Sequence, residues 1–505
     1  MIAIRRALLS CSDKTGLDVF AKKLSGFGIE LVASGGTAEF LAKQGLRAVS
    51  VEQFAGIREQ LDGRVKTLHP KIHAGILAKR EDAAHLASVG EQGLIDLVVV
   101  NLYPFKQTIA QSGVALAEAI EQIDIGGVAL LRAAAKNFSG VGVVCNPAQY
   151  EEIVSCLQAN QGKLTQALTR KLALEAFALT SSYDAAIAAY LSEGKTVTIT
   201  LNERQPLRYG ENPHQKGGWY AEIGPAWGLG TINQLQGKEL SYNNLLDIDA
   251  ALRSLVAFEE PTCAIIKHNL PCGLASASNT GSAYEKAYAC DAESAFGGIV
   301  GFNRPINAAV AERLTATFLE VIVAPAVEPA ALPFFKKKTN LRVVTVDWPI
   351  RRPARAELRE LLGSWVLQDP DAEDEDPQTW RVATKRLPTQ AERLSLIFAW
   401  KAAKYAKSNA VVLVKDNATV GIGQGQPSRV GSVRLAIEKA GANGQGTVAA
   451  SDGFFPFPDG VESLAKAGVT AIVQPGGSIK DSGVIAAADA AKVAMLITGR
   501  RHFRH

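Results

Sequence analysis

The sequence predicts an α/β protein, with a parallel sheet covered by helices in the first part of the chain and mixed strands and helices in the rest. Three observations carry this. Short β-rich runs such as ELVASGG (30–36) and DLVVVNLYPF (96–105) alternate with helical patterns such as LDVFAKKLSGFG (17–28), the order of parallel strands joined by crossover helices. The chain has 505 residues, too many for one ordinary core and enough for about two to four domains. Its composition is 47% hydrophobic and 21% charged, which is that of a globular chain with ample core rather than a disordered one.

Taken in order, the strand and helix alternation runs to about residue 190, where the helical stretch ALTRKLALEAFALTSSYDAAIAAYLSEG (167–194) closes the first part and Gly194 marks its stop. A boundary near 192–200 follows, giving domains 1–195 and 196–505. The second opens on the turn-rich LRYGENPHQKGGWY (207–220) and divides into pieces of about 200–365 and 380–505. Between them DPDAEDEDP (369–377) has six acidic residues bounded by prolines and reads as a solvated loop. VVLVKDNATVGIG (411–423) reads as two strands around a polar turn at Asp416, Asn417 and Ala418. No repeat with a period of 20 to 50 residues is visible.

Several function classes are disfavoured. Lys and Arg number 54 against 50 Asp and Glu, a net charge of +4 that gives no general basis for nucleic-acid binding. The cysteines at 11, 145, 156, 263, 272 and 290 form no C-x-x-C pair, so reduced thiols are expected and metal binding through sulfur is not. The N-terminal MIAIRRALLSCSDKTG is too quickly interrupted for a signal segment, and no later run is long enough to span a bilayer. A cytoplasmic protein is expected.

In the first part, SCSDKTG (10–16) sets Ser10, Ser12, Lys14 and Thr15 before a helix, where hydroxyls, a cation and free N–H groups suit a phosphate. An N-cap with surface charge explains the same residues. SGGTA (34–38) repeats the arrangement with Ser34, Gly35, Gly36 and Thr37. G-x-x-x-x-G-K-[ST] is absent, so a monophosphate fits better than a triphosphate. DGRVKTLHPKIHAG (62–75) collects Arg64, Lys66, Thr67, His69, Lys71 and His73. The histidines have the i, i+4 spacing of zinc ligands, but the H-E-x-x-H glutamate is missing and Pro70 disfavours a helix through His69. NLYPF (101–105) brings Asn101 and Tyr103, and DIGGVALLRAAAKN (124–137) brings Asp124, Gly126 and Lys136. A carboxylate, a phenol and lysines can shuttle protons around a heterocycle; each also has a structural reading.

In the second part, RYGENPHQ (208–215) carries Arg208, Tyr209, Asn212 and His214, and SAFGG (294–298) carries Phe296 and Gly297. KSNAVVLVKD sets Asn409 before an apolar strand, and GIGQGQPSR (421–429) supplies alternate glycines that do not match the dinucleotide fingerprint. SDGFFPFPDG (451–460) places Asp452, Phe455 and Asp459 in an aromatic loop, fit for a flat ligand or for rigidity. AIIKHNLPCG (264–273) is the sharpest case, since Lys267 and His268 close an apolar strand. Histidine is a competent base at neutral pH and an adjacent lysine stabilises developing negative charge. A surface Lys–His pair remains the plain alternative.

These segments, in order and spacing, resemble the bifunctional purine-biosynthesis family that joins an IMP cyclohydrolase to an AICAR formyltransferase. The likeness runs from SCSDKTG through SGGTA, GRVKTLHPKIHAG, NLYPF, DIGG, RAAAKN, RYGENPHQ, LQGKELSYNNLLDIDAA, KHNLPCG, SAFGGIV, KSNA, FFPFPDG and QPGGSI to the terminal RRHFRH. It implies an N-terminal domain of the methylglyoxal-synthase type and a transformylase portion with cytidine-deaminase-like subdomains. It implies formyl transfer from 10-formyltetrahydrofolate to AICAR, and dehydrative closure of the product FAICAR to IMP. The family's homodimer, with transformylase sites at the interface, comes with it. No catalytic metal is expected, because Pro271–Cys272 is followed by Gly273, Leu274 and Ala275 rather than completing P-C-x-x-C.

Residue by residue, the resemblance makes His268 the base, with Lys267 stabilising the intermediate or the departing folate nitrogen, and Asn409 holding the formyl oxygen or orienting His268. Arg208, Tyr209, Phe296, Gly297 and Arg501 bind AICAR, and Asp452, Phe455 and Asp459 border the folate pocket. In the cyclohydrolase, Ser12, Lys14, Ser34, Gly36 and Thr37 hold the phosphate, with Arg64, Thr67, Asn101 and Gly126 also at the ligand. Lys66, Tyr103, Asp124 and Lys136 position the carboxamide, polarise the formyl oxygen and move protons. The chain departs from the family at Leu270, at Pro427 and Gly431, and through FAGIREQLDG (54–63).

Overall fold

The computed structural model describes residues 1–56, 58–61, 64–222, 225–351, 356–372 and 375–505. Three positions of FAGIREQLDG, 57, 62 and 63, lie outside them, as do 373 and 374 of the acidic segment. The chain forms two compact units, Met1–Thr200 and Leu201–His505.

The first unit is built on β1 (Arg6–Cys11), α1 (Leu17–Gly26), β2 (Glu30–Ala33), α2 (Gly35–Lys43), β3 (Val49–Ser50), α3 (Pro70–Leu77), β4 (Leu97–Asn101), α4 (Gly126–Lys136), β5 (Gly142–Val144) and α5 (Gln166–Leu191). The sheet order is β3-β2-β1-β4-β5, every pair parallel. Ala7, Leu8, Leu9, Leu97 and Val98 are fully buried, as continuous apolar strands with both faces covered require, and each such leucine contributes about 1.5–3 kcal/mol. The chain moves outward from β1 to β3 and then returns to the other side at β4. That reversal opens a crevice beyond the C-terminal ends of β1 and β4, where ligands of such sheets sit. Thr165 caps α5, its hydroxyl accepting the Leu168 N–H at 3.2 Å, and Gly194 follows the helix at φ 78°.

The second unit repeats one pattern twice. The first copy is α6 (Tyr242–Leu255), β6 (Thr262–Lys267), β7 (Leu270–Ser276), α7 (Thr280–Cys290), β8 (Ile299–Phe302), α8 (Ala308–Thr315), β9 (Val321–Ala324), α9 (Leu332–Lys336) and β10 (Arg342–Thr345). The second is α10 (Gln390–Tyr405), β11 (Val411–Lys415), β12 (Ala418–Gly423), α11 (Arg429–Ala440), β13 (Val448–Ser451), α12 (Asp459–Lys466), β14 (Ala471–Gln474), α13 (Asp481–Ala490) and β15 (Ala494–Ile497). Strands run β7-β6-β8-β9-β10 in one and β12-β11-β13-β14-β15 in the other, joined through β7 and β12 at Ala275 and Ala418, and with Asn233–Gln236 on one edge and Arg381–Val382 on the other they make one twelve-stranded sheet. This repeat is far longer than a period of 20 to 50 residues.

The leading hairpins match closely. Each has a two-residue turn with left-handed backbone, at φ 55° and 63° for His268 and Asn269 and 50° and 55° for Asp416 and Asn417. Ala418, expected in the second turn, is instead the first residue of the returning strand, paired with Lys415. Both hairpins shift register two residues before the turn, at Ile265/Ile266 and Leu413/Val414.

The acidic segment is not simply solvated. Glu375 Oε2 accepts the indole N–H groups of Trp380 and Trp400, each at 3.2 Å, because buried tryptophans need acceptors. Its other oxygen lies 3.3 Å from Nε2 of the buried His502, whose Nδ1 is 2.5 Å from Asp371 Oδ2.

Candidate functional site

Several loops meet in the crevice of the first unit. After β1, the backbone N–H groups of Ser12 and Asp13 both donate to Asn101 Oδ1, at 2.6 and 2.8 Å, and Asn101 Nδ2 returns a bond to the Asp13 carbonyl at 2.8 Å. Lys14 is drawn back onto the Cys11 carbonyl. After β2, Ser34 Oγ donates to Ser10 Oγ at 2.8 Å, and Thr37 Oγ1 accepts the Cys11 N–H at 3.1 Å. A β-carbon at Gly35 or Gly36 would meet nothing within 4 Å, so the N-terminus of α2 faces open space, as an anion site requires.

Three further segments, at Lys66, after β4 at Tyr103 and before α4 at Asp124, carry acid and base groups. Lys66 Nζ lies 3.4 Å from Tyr103 Oη. Asp124 is buried, its Oδ1 accepting the Gly127 N–H at 2.6 Å and its own N–H donating to Tyr183 Oη at 3.0 Å. Burial pushes the Asp124 carboxyl above the usual carboxylate range, against the pull of the Gly127 and Tyr103 backbone N–H groups and the Lys66 charge. Burial also pushes the Lys14 ammonium down, with Lys66 adding to the effect, so the two lysines share one region. Thr67 is buried, with Oγ1 2.6 Å from where a β-carbon of Gly126 would stand. Ser12, Lys14, Ser34, Gly36, Thr37, Lys66, Thr67, Asn101, Tyr103, Asp124 and Gly126 are thus brought together, while Arg64, two residues before Lys66, pairs with Glu121.

In the second unit the hairpin of β6 and β7 sets exposed His268 at its tip. Lys267 Nζ donates to the Phe296 carbonyl at 2.7 Å, and Gly297, at φ 73°, donates its N–H to the Phe318 carbonyl at 2.8 Å. Phe296 keeps 58% of its surface exposed beside Phe318, ring centroids 5.3 Å apart. Further along the sheet edge, Gln424 Nε2 donates to the Pro271 carbonyl at 2.9 Å, linking this hairpin to the loop holding Asn409. Asn409 Nδ2 donates to the Gln426 carbonyl at 2.9 Å and its Oδ1 accepts from Arg429 Nη2 at 2.6 Å. Arg208 lies over the Tyr209 ring at 5.5 Å, and Arg501 over Phe503 at 4.5 Å.

A family model described as the AICARFT/IMPCHase bienzyme matches residues 134–439, more than half of the chain, and an MGS-like domain model matches 16–129. The chain belongs to the AICARFT/IMPCHase bienzyme family. Its relatives named "Bifunctional purine biosynthesis protein PurH" include that of Nostoc sp., 48% identical over 505 residues covering 99% of this chain and 100% of the relative. The PurH of Synechococcus elongatus is 49% identical over 513 residues, and that of Enterococcus faecalis 47% over 512, each with 99% of this chain and 100% of the relative covered.

Not every residue expected from this family's motifs is placed at a ligand face. Lys136 is the last residue of α4, whereas Asp124 precedes the first; eleven helical residues separate the two ends by about 15 Å. Lys136 instead lines a groove of about 570 Å³ with Arg132, Arg170 and Phe177. Asp452 is fully buried, its carboxylate consumed by Arg429 Nη1 and Ser408 Oγ. A carboxylate in that position needs an internal cation, and it has one. Phe455 is 1% exposed in the core, and the loop shows Phe454 and Phe457 to solvent instead, at 40% and 57%. Asp459 begins α12 with Oδ1 on the Gly460 N–H at 2.8 Å.

His69 is no helical partner of His73: it is the N-cap of α3, its Nδ1 accepting the Lys71 N–H at 3.2 Å. Among the described residues no group of three or more His, Cys, Asp or Glu side chains is arranged to hold a metal, and no helix is long and apolar enough to cross a membrane. Sequence reasoning gave no role to Tyr183, Asp247 or Arg429. A buried arginine announces itself only through its partner, and Asp452 lies 23 residues away.

Proposed function

We propose that the chain carries out the last two steps of IMP synthesis, formyl transfer to AICAR in the second unit and closure of FAICAR to IMP in the first. Family membership with full-length coverage is the observation that carries this reading. The formyl donor is a reduced folate, and 10-formyltetrahydrofolate is the form we propose. A homodimer in the cytoplasm, with the transformylase sites completed between copies, is part of the same proposal.

In the first step the 5-amino nitrogen of AICAR attacks the formyl carbon. His268 takes the amine proton as the C–N bond forms. Lys267, held on the Phe296 carbonyl at 2.7 Å, stabilises the oxyanion and then the departing folate nitrogen, which leaves protonated as tetrahydrofolate. Asn409, fixed by Arg429, orients the formyl oxygen. Arg208, Tyr209, Phe296, Gly297 and Arg501 hold AICAR. The exposed side chains of Phe454 and Phe457 are better placed than Phe455 to border the folate.

In the second step the carboxamide nitrogen attacks the formyl carbon and the formyl oxygen leaves as water. Asp124, whose carboxyl burial raises, accepts the amide proton, the neighbouring Lys66 and Tyr103 donate the two protons with which the formyl oxygen leaves, and the formamide N–H proton is given up as the C=N bond forms, so that the protons taken from the two nitrogens restore the donors. Ser12, Lys14, Ser34, Gly36 and Thr37 hold the phosphate, with Arg64, Thr67, Asn101 and Gly126 at the ring and ribose. Lys136 has no direct role in this scheme.

The test is a pair of variants assayed for each step. His268→Ala should abolish formyl transfer and leave FAICAR closure intact, and Lys66→Ala the reverse. Equal loss of both activities in either folded variant would overturn the division of labour.

A further inference from the structure

The turn that presents His268 has two consecutive non-glycine residues with positive φ, a shape that hairpins usually fill with glycine at the second position. It is held from α6. Asp247 Oδ1 accepts the Asn269 N–H at 2.6 Å. The Asn269 side-chain amide, oriented with its nitrogen inward, donates to the same oxygen at 3.2 Å and to the Leu246 carbonyl at 3.1 Å. Burial raises the Asp247 carboxyl, while the Asn269 and His268 N–H groups and the His268 ring, all close by, pull the other way.

The duplicated hairpin supplies the contrast. Its Asp416–Asn417 turn has the same backbone, yet among the described residues no carboxylate accepts from those two N–H groups. Lys286 Nζ donates to the Asp416 carbonyl at 3.1 Å instead, and Ser276 N–H to the Asn417 carbonyl at 2.9 Å. The turn therefore forms in this fold without a carboxylate beneath it. Among the described residues, one lies under the copy that carries Lys267 and His268 and none under the other.

We infer that Asp247 is a positioning residue for formyl transfer, its carboxylate fixing the Lys267–His268–Asn269 turn so that the histidine ring and the lysine ammonium meet the reacting amine together. This rests on the reading of His268 as the base. Lys267 is tied to Phe296 on one side and the turn to α6 on the other, so loosening Asp247 frees the ring while the AICAR contacts at Arg208 and Tyr209 stay in place.

The experiment is steady-state formyl transfer by the full chain carrying Asp247→Ala, Asp247→Asn, Asp247→Glu, Lys286→Ala or His268→Ala. Asp247→Ala should lower kcat about 10- to 100-fold, as a misplacement near 1 Å does, with KM for AICAR within about twofold of the parent. Asp247→Asn, which keeps an acceptor for the Asn269 N–H but not the charge, covers the case in which the alanine variant does not fold and should lower kcat about 3- to 10-fold. Asp247→Glu should recover part of the loss, and Lys286→Ala should leave transfer unchanged.

A kcat within about threefold of the parent in folded Asp247→Ala or Asp247→Asn, a loss confined to KM, or an equal loss in Lys286→Ala would overturn the inference while an inactive His268→Ala left the base assignment standing. An active His268→Ala would sink the base assignment itself, whatever Asp247 does.

Discussion

Replacing Gly127 with alanine tests the role of Asp124 by moving one carboxylate. Gly127 is the second residue of α4, with its N–H on Asp124 Oδ1 at 2.6 Å. A methyl group there would lie 2.9 Å from both Asp124 Cγ and Oδ1, with Oδ2 nearer still. Comfortable separations begin near ~3.5 Å, so the carboxylate must retreat by about 0.5–1 Å. Overpacking of this kind costs about 1–3 kcal/mol of stability, and a displacement near 1 Å in a reacting group lowers its step about 100-fold. The assay is IMP formation from FAICAR by purified Gly127→Ala, with formyl transfer to AICAR measured on the same preparation. Ring closure should fall about 100-fold while formyl transfer stays within about twofold. Closure within about threefold of the parent, with Gly127→Ala folded, would refute the placement of Asp124 at the chemistry.

Three further outcomes follow from the second unit. Arg429→Met should strand the Asp452 carboxylate in the core at a cost of about 3–5 kcal/mol and release Asn409, seen as a lower melting temperature together with lost formyl transfer. Glu392 would be raised by burial, but Arg386 at 2.6 Å, with Thr470 and the Thr389 N–H, brings it from 4.5 down to about 2. Its folded value is depressed, so its contribution is present above pH 4.5 and lost as pH falls toward 2; Glu392→Gln should cost about 2 kcal/mol at neutral pH and nothing further in strong acid, read by urea unfolding at both. For His502, burial alone would lower the ring, but Asp371 and Glu375 outweigh it and the opposing Lys404, raising it above 6.5. A raised histidine stabilises below its unfolded value and loses that contribution as pH climbs through the folded one, so the melting-temperature gap between the parent and His502→Asn should shrink above neutrality.

The local signals were legible in the sequence where chemistry and turn geometry share a few neighbouring residues. The SCSDKTG and SGGTA turns lie at the strand ends that the alternation predicted, and KHN at the tip of an apolar hairpin is a left-handed turn. What the sequence did not disclose is direction and distance. In FFPFPDG the aromatic run has no period to say which ring turns inward, and the structure buries Phe455 while Phe454 and Phe457 face out. The acidic segment looks solvated until Trp380 and Trp400 bring two indole donors to Glu375. The separation of Lys136 from the start of α4 was within reach of sequence reasoning, since eleven helical residues set it at about 15 Å. Asp247 was not, because its partner turn lies 22 residues away on another element.

The account is tested most directly by mixing the full chain with AICAR and 10-formyltetrahydrofolate and following FAICAR and IMP by mass spectrometry, beside His268→Ala and Lys66→Ala. It predicts IMP from the parent, accumulated FAICAR from Lys66→Ala, and no formylated product from His268→Ala, which should still close FAICAR supplied to it. Formylated product from His268→Ala, or IMP formed as fast by Lys66→Ala as by the parent, would contradict it.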